Sequence, residues 1–174
     1  MERLAMSARL SVIGANKSLK NDEWYTPMPT VELMFKLLDI KQPSTIMMPF
    51  DTEKSNFVKY AHTLDCNLWY GITNWMDGNY EYDYLITNPP FSIKDQVIEQ
   101  CLKSGKPSAL VLPIEALGGK RRHELYKQYG YPTVYMPTKR ISYISENGEQ
   151  TKSNHFHSII LIFNDPKGSR LLWE

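Results

Sequence analysis

Apolar residues along the chain follow two patterns, a helical spacing of three or four residues and short unbroken runs typical of buried strands. Val31, Met34, Phe35 and Leu38 show the helical spacing. This pattern predicts helices over 30–38, 55–64, 93–103 and 123–129. The apolar runs predict strands over 45–48, 67–72, 84–87, 108–112, 133–136 and 157–163. A further segment, 140–144, lies between the last two of these strands.

The alternation of strands and helices predicts an α/β fold built on a mostly parallel sheet with helices on both faces. The last two strands have no helix between them, which predicts an antiparallel hairpin at the sheet edge. No repeat or flexible linker divides the chain, so we expect an N-terminal arm over 1–21 and a single domain over 22–174. In such sheets, ligands bind outside the carboxyl ends of the strands.

Composition and charge narrow the class of protein. The 174 residues are 42% hydrophobic and 22% charged, as in a soluble globular domain. No apolar run approaches the ~18 residues of a membrane span, and the segment that contains Arg3 and Arg9 does not have the pattern of a signal peptide. Cys66 and Cys101 have no metal or redox spacing, so we expect reduced thiols in the cytoplasm. The net charge of the chain is only +1, so contacts with nucleic acid would depend on local basic patches.

The most informative stretch is Asn88-Pro89-Pro90-Phe91, which follows the apolar run 84–87. The prolines fix the backbone and remove two N–H donors, so the carbonyls of Asn88 and Pro89 are expected to face a cleft. The Asn88 amide both accepts and donates hydrogen bonds and would hold an amino group by its hydrogens. Phe91 offers a face on which a planar base would stack. The alternative is a turn that merely ends the strand.

Such an arrangement suits methylation of an amino group on a base. The nitrogen is a poor nucleophile because its lone pair is delocalised into the ring. Acceptors that bind its hydrogens favour a pyramidal nitrogen, and transfer from a sulfonium centre then depends on in-line placement. No strong base is required if the proton leaves after the transfer. In duplex DNA the target base has to be extruded.

The Asn88-Pro89-Pro90-Phe91 tetrad resembles the acceptor-site motif of S-adenosylmethionine-dependent amino-methyltransferases acting on adenine N6. Tyr25-Thr26-Pro27 is similar to the motif that precedes the first strand in that family and lines the methionine end of the cofactor. Over residues 22–163 the order of the pieces resembles small phage-type DNA adenine methyltransferases. The resemblance implies a Rossmann-like methyltransferase fold, S-adenosylmethionine as cofactor, DNA as substrate and catalytic roles for the tetrad. Phe91, where enzymes acting on protein glutamine commonly have Tyr, favours adenine.

The turn after the first strand departs from the family pattern. There the family has an acidic residue, a proline and a glycine-rich turn, whereas this chain has Met48-Pro49-Phe50-Asp51 and no glycine. Pro49 and Phe50 match the pattern and are candidate cofactor contacts. Asp51 or Glu53 is expected to supply the carboxylate that holds the cofactor's amino group. Alternatively, 51–54 only caps the following helix.

The segment after the second strand also lacks an expected feature. Thr73 and Asn74 stand where the family has a ribose-binding acid. Asp77 is a further candidate for contact with the cofactor's adenine. Its alternative role is to begin an Asp77-Gly78 turn.

Basic, polar and aromatic residues supply candidate contacts to DNA. Lys120, Arg121 and Arg122 follow two glycines and suit a loop that closes on phosphates, the alternative being a solvated helix start. Further candidates for contact with DNA or the base are Ser92, Lys139, Arg140 and Phe156. Of these, Phe156 would pack on the extruded base, as the resemblance implies.

Neither a metal site nor a separate target-recognition domain is predicted. His155 and His157 have no nearby carboxylate or thiol to complete a metal site. Without a recognition domain, either the DNA site is very short or specificity comes from self-association or a protein partner.

Two functions of different classes remain open. The tetrad favours an active DNA adenine methyltransferase, located in the host cytoplasm if a phage encodes it. The glycine-free turn favours a catalytically inactive module on the same fold. Such a module would sequester the cofactor, occupy DNA or dock on another protein, such as a restriction or methylation complex.

Overall fold

The computed structural model describes residues 25–72, 74–145, 148–150 and 157–174. Its strands are β1 Ser44–Met48, β2 Cys66–Tyr70, β3 Tyr84–Thr87, β4 Ser108–Pro113, β5 Thr133–Met136, β6 Ser158–Phe163 and β7 Leu171–Trp173. Its α-helices are α1 Met28–Leu38, α2 Asn56–Ala61, α3 Lys94–Ser104 and α4 Lys120–Tyr129. Short 3-10 turns span Trp75–Asp77, Phe91–Ile93 and Ile114–Leu117.

The strands form one seven-stranded sheet in the order β2-β1-β3-β4-β6-β5-β7. β1 pairs in parallel with β2 and β3, β3 with β4, and β5 with β7. Only β6 runs antiparallel to its neighbours β4 and β5. The predicted α/β class is therefore confirmed, with a mostly parallel sheet and an antiparallel hairpin made by β5 and β6.

The sequence predicted that the hairpin lies at the edge of the sheet, but the structure places it inside the sheet. All six residues of β6 are buried, and the strand fits between β4 and β5, where both of its edges are paired. The edge position is taken by β7, which was not predicted because Leu171 and Trp173 are exposed and show no buried pattern. The stretch 140–144 is not a strand, and only Ile144 forms isolated bridges.

Two apolar clusters cover the two faces of the sheet. α1 and α2 pack on one face around residues such as Met34, Val58 and Ile86. α3 contributes Ile98 to the cluster on the other face, and α4 contributes Tyr126. Successive residues of the central strands belong alternately to the two clusters, as expected for a sheet buried on both sides.

The parallel strands place the candidate residues at one end of the sheet. Because β1 and β3 are adjacent and parallel, the turns that follow them leave the sheet at the same edge.

Both cysteines are free, and burial raises the pKa of the Cys101 thiol to about 12. Among the described residues, no helix combines the length and apolar character that a membrane span requires.

Candidate active site at the carboxyl ends of β1 and β3

Asn88 presents a buried acceptor atom at the carboxyl end of β3. It follows the last residue of β3 and is half-buried, while the next residue, Pro89, is buried. The Oδ1 atom of Asn88 is buried and has no hydrogen-bond partner in the described part of the chain. The neighbouring Pro89 and Pro90 cannot supply a donor because they have no N–H. Leaving such an atom unpaired costs about 1–3 kcal/mol, so the site is suited to a ligand that brings a donor.

Asp51 connects the turn after β1 with the end of β3. Its side chain is buried, with 8% exposure. Oδ1 accepts a hydrogen bond of 2.6 Å from Ser55 Oγ, and Oδ2 accepts one of 2.6 Å from Thr87 Oγ1. Burial raises the pKa of Asp51 to about 6, although the two hydroxyl hydrogen bonds act to lower it. Since Thr87 precedes Asn88, Asp51 and the tetrad lie next to each other.

Hydrogen bonds take the place of glycines in shaping the turn between β1 and α2. The Asp51 N–H donates to the Met48 carbonyl at 3.2 Å, and the Ser55 N–H donates to Thr52 at 2.8 Å. Ser55 Oγ also accepts from the Phe57 N–H at 3.1 Å and so caps α2. The capping role that the sequence left open for 51–54 therefore belongs to Ser55.

Tyr25-Thr26-Pro27 lies against the start of α2. Two backbone hydrogen bonds of 2.8 and 2.9 Å join Tyr25 to Ile144. The Thr26 carbonyl accepts a hydrogen bond of 2.9 Å from Asn56, the first residue of α2. Thr26 is 3% exposed, and its Oγ1 atom has no partner among the described residues. Thr26 and Asp51 are thus attached to the same end of the same helix.

The end of β2 also adjoins this turn. Gly71 has a φ of +69°, and a Cβ atom there would lie 3.7 Å from the Asp51 carbonyl oxygen. Glu53 is exposed and accepts a hydrogen bond of 3.4 Å from the Tyr70 hydroxyl. The end of β2 and the β1–α2 turn therefore border one another.

The other candidates for cofactor contact lie before Asp51 in the same turn or after β2. Pro49 is buried directly after β1, and Phe50 is half-buried against the cluster shared with α3 and α4. Asp77 is exposed at the end of the turn Trp75–Asp77. Thr73 lies outside the described residues.

Two of the three cations at the start of α4 are paired with acids on α3. Arg121 lies 2.6 Å from Glu99, and Arg122 lies 2.9 Å from Asp95. Arg122 also donates to the carbonyl of Gly118 at 2.6 Å. Lys120 is exposed and has no ion pair among the described residues. A phosphate approaching this loop would compete with two acidic partners, and the proposed DNA contacts here remain predictions.

The remaining candidates are distributed around the same edge. Phe91 is half-buried against the cluster shared with α3 and α4, and Ser92 is exposed beside it. Lys139 and Arg140 are exposed after β5. Phe156, like His155, lies outside the described residues. In the described part of the chain, no group of three His, Cys, Asp or Glu residues is arranged to hold a metal ion.

Sequence reasoning did not identify Ser55 and Thr87 as members of the site. Their signals are weak, because a serine before an apolar helical run indicates only a helix cap. A threonine at the end of an apolar strand is likewise ordinary. The bond from Thr87 to Asp51 becomes evident only when β1 and β3 are adjacent, and the bond from Ser55 to Asp51 only when the turn after β1 is folded.

No family model and no curated sequence matches this chain. Among solved structures, a modification subunit of a putative type I restriction enzyme from Vibrio vulnificus YJ016 matches with a TM-score of 0.60 and 12% identity, over 90% of this chain and 48% of that one. The M protein of the type I restriction enzyme EcoKI matches at 0.53 and 10% identity, over 84% and 46%. A dimethyladenosine transferase from Plasmodium falciparum matches at 0.50 and 11% identity, over 80% and 62%.

These matches show a Rossmann-like methyltransferase fold. This chain spans 48%, 46% and 62% of the lengths of the three structures.

Proposed function

We propose that this chain is an S-adenosylmethionine-dependent DNA methyltransferase acting on the N6 amino group of adenine. The observation that carries the proposal is the buried Oδ1 atom of Asn88 at the carboxyl end of β3, which has no partner among the described residues. An amino group on a planar base supplies the donor that this atom lacks. The methyltransferase fold supports the same conclusion.

The residues around the start of α2 fit such a cofactor. Thr26 offers a buried hydroxyl that has no partner in the described part of the chain, and Gly71 leaves the space beside the Asp51 carbonyl free of a side chain. Tyr25, Thr26 and Pro27 would hold the methionine end, with Pro49 and Phe50 nearby. Because hydroxyls already bind both oxygens of Asp51, we assign the exposed carboxylate of Glu53 to the cofactor's amino group. The cofactor supplies an activated methyl group on a sulfonium centre.

The tetrad would position the acceptor nitrogen. Asn88 Oδ1 and the Pro89 carbonyl would each accept one hydrogen of the amino group, which leaves the lone pair directed at the incoming methyl. Phe91 would stack on the base and hold its plane. The proton would leave after the transfer, so the site needs no strong base beside the nitrogen.

DNA is the proposed substrate, with contacts from exposed cations around the same edge. Lys120, Lys139 and Arg140 are exposed, and Arg121 and Arg122 follow Lys120 at the start of α4. Phe156 and Ser92 remain candidates for contact with the base or the backbone. As part of the same proposal, the chain is a phage-type enzyme with a role in restriction-modification. Its sequence specificity would come from self-association or from a protein partner.

A second candidate function is supported by the turn after β1. It contains no glycine, and the Asp51 carboxylate is bound by two hydroxyls of the chain itself. A module on this fold that does not transfer methyl groups would still bind DNA, the cofactor or another protein.

Transfer of labelled methyl groups to adenine-containing duplexes distinguishes the two candidates. The parent protein should methylate adenine, and Asn88→Ala should do so more than ~100-fold more slowly. Asn67→Ala serves as the matched control, because Asn67 is exposed on β2 and should tolerate the change. A parent protein that binds cofactor or DNA in calorimetry but transfers no methyl group would support the inactive module instead.

A further inference from the structure

The Asp51 carboxylate lies among groups of the chain itself. It is 8% exposed, and each of its oxygens accepts a hydroxyl hydrogen bond of 2.6 Å. Burial is the main reason that its pKa is raised to about 6. A buried carboxylate held by two short hydrogen bonds is suited to fix the orientation of its partners.

One of those partners is the residue next to Asn88. Thr87 is fully buried and ends β3. On the other side of Asn88, the Pro89 ring restricts the backbone conformation of the preceding residue. Asn88 is therefore held from both directions, by the Thr87 hydrogen bond before it and by a buried proline after it.

We infer that Asp51 and Thr87 are positioning residues for Asn88, and that the carboxylate acts through the Thr87 hydroxyl rather than by contact with the cofactor. The inference rests on the proposed function, since it concerns the atom that would bind the acceptor amino group. It assigns different tasks to the two acids of the β1–α2 turn. Asp51 faces inward to the end of β3, whereas the exposed Glu53 is left for the cofactor.

The geometry allows a matched pair of variants. Thr87→Val removes the hydroxyl from one oxygen of Asp51 with little change in shape, and Thr87→Ser retains it. Ser55→Ala removes the hydroxyl from the other oxygen, on the side of α2. Because Ser55 also caps α2, this control should lower the melting temperature at least as much as Thr87→Val does.

Single-turnover methyl transfer at saturating cofactor is the first measurement. We expect Thr87→Val to lower the rate about tenfold, the effect of one positioning hydrogen bond. Its cofactor Kd from calorimetry should stay within about threefold of the parent value, a change of less than 1 kcal/mol. Thr87→Ser should restore most of the rate, and Ser55→Ala should slow transfer less than Thr87→Val does.

The second measurement does not depend on catalysis. In 15N-labelled protein, the Asn88 side-chain amide signal is identified by its loss in Asn88→Ala. We expect this signal to shift or broaden in Thr87→Val, to return in Thr87→Ser and to change less in Ser55→Ala. A parent protein that transfers no methyl groups would contradict the proposed function, and the Asn88 signal would still decide the positioning role.

Three results would overturn the inference. The first is an unchanged Asn88 signal in Thr87→Val. The second is a loss of rate that is equal in Thr87→Val and Ser55→Ala, which would indicate general destabilisation. The third is a loss confined to cofactor affinity, which would make Asp51 a cofactor ligand.

Discussion

Thr87 donates a hydrogen bond of 2.6 Å to the Asp51 carboxylate, and this bond joins the ends of the adjacent parallel strands β1 and β3. Asp51 belongs to the turn that the sequence associates with a cofactor. Thr87 immediately precedes Asn88, which the sequence associates with a methyl acceptor. The buried hydrogen-bond network of the first motif therefore reaches the residue next to the second, and a change at Asp51 should affect Asn88.

Replacing Asn88 by Ala should reduce methyl transfer more than ~100-fold, which corresponds to the loss of one contact worth about 3 kcal/mol in a dry site. Folding should be little affected, because the Oδ1 atom makes no hydrogen bond within the described chain. Methyl-transfer kinetics and thermal unfolding of the same preparation test both parts. If Asn88→Ala instead unfolds the protein, the side chain has a structural role that contradicts this assignment.

The carboxyl of Asp51 should make stability depend on pH. Its pKa rises from 3.8 to about 6 in the folded protein, so the folded state holds the proton more tightly than the unfolded state. This contribution is fully present below the unfolded pKa and is lost as pH rises through about 6. The loss is at most about 3 kcal/mol, because one pKa unit corresponds to about 1.4 kcal/mol.

Asp51→Asn isolates this effect because the amide side chain of the variant does not titrate. We expect the stability of the parent relative to Asp51→Asn to fall as pH rises from 3.8 to about 6 and to level off above that range. Urea unfolding at each pH gives the free energy of unfolding of both proteins. The difference between the two values cancels the contributions of other acids, such as Asp165 and Glu99. Parallel curves for the two proteins would show that Asp51 does not titrate in this range.

Lys120 should account for most of the DNA affinity contributed by the start of α4. Arg121 and Arg122 each have an acidic partner on α3, whereas Lys120 has none in the described part of the chain. Lys120→Gln should reduce the slope of log K against log salt by about 1. Arg121→Gln, which removes the same charge from a paired position, should change the slope less. Equal changes would indicate that DNA displaces the ion pair with Glu99.

The sequence predicted the parallel part of the sheet because its strands are buried on both faces. β3 was placed at its observed bounds by the apolar run before Asn88. The edge strand β7 was missed because two of its three residues are exposed. The position of β6 inside the sheet was also missed, since an apolar run shows that a strand is buried and does not show which strands flank it.

The candidate site could be predicted only in part for a similar reason. Asn88 stands out because it is followed by two prolines after a strand, and this local pattern needs no tertiary information. The contact of Asp51 with Thr87 depends on which strands are adjacent, whereas its contact with Ser55 depends on how the turn after β1 folds. Pairing of Arg121 and Arg122 with acids on α3 likewise depends on how two helices pack.

Thr26→Val should separate ligand binding from folding. The Thr26 Oγ1 atom is buried and has no partner among the described residues, so replacing the hydroxyl by a methyl should leave stability unchanged or raise it by up to about 1 kcal/mol. If that hydroxyl binds the cofactor, affinity should fall about fivefold to tenfold, as expected for one hydrogen bond.

Thr133→Val is the matched control for Thr26→Val, because the Oγ1 atom of the buried Thr133 donates a hydrogen bond of 2.7 Å to Asp165. The control should lose stability and keep its cofactor affinity. Calorimetry and thermal unfolding give both quantities, and a Thr26→Val protein that is destabilised with unchanged affinity would remove Thr26 from the cofactor site.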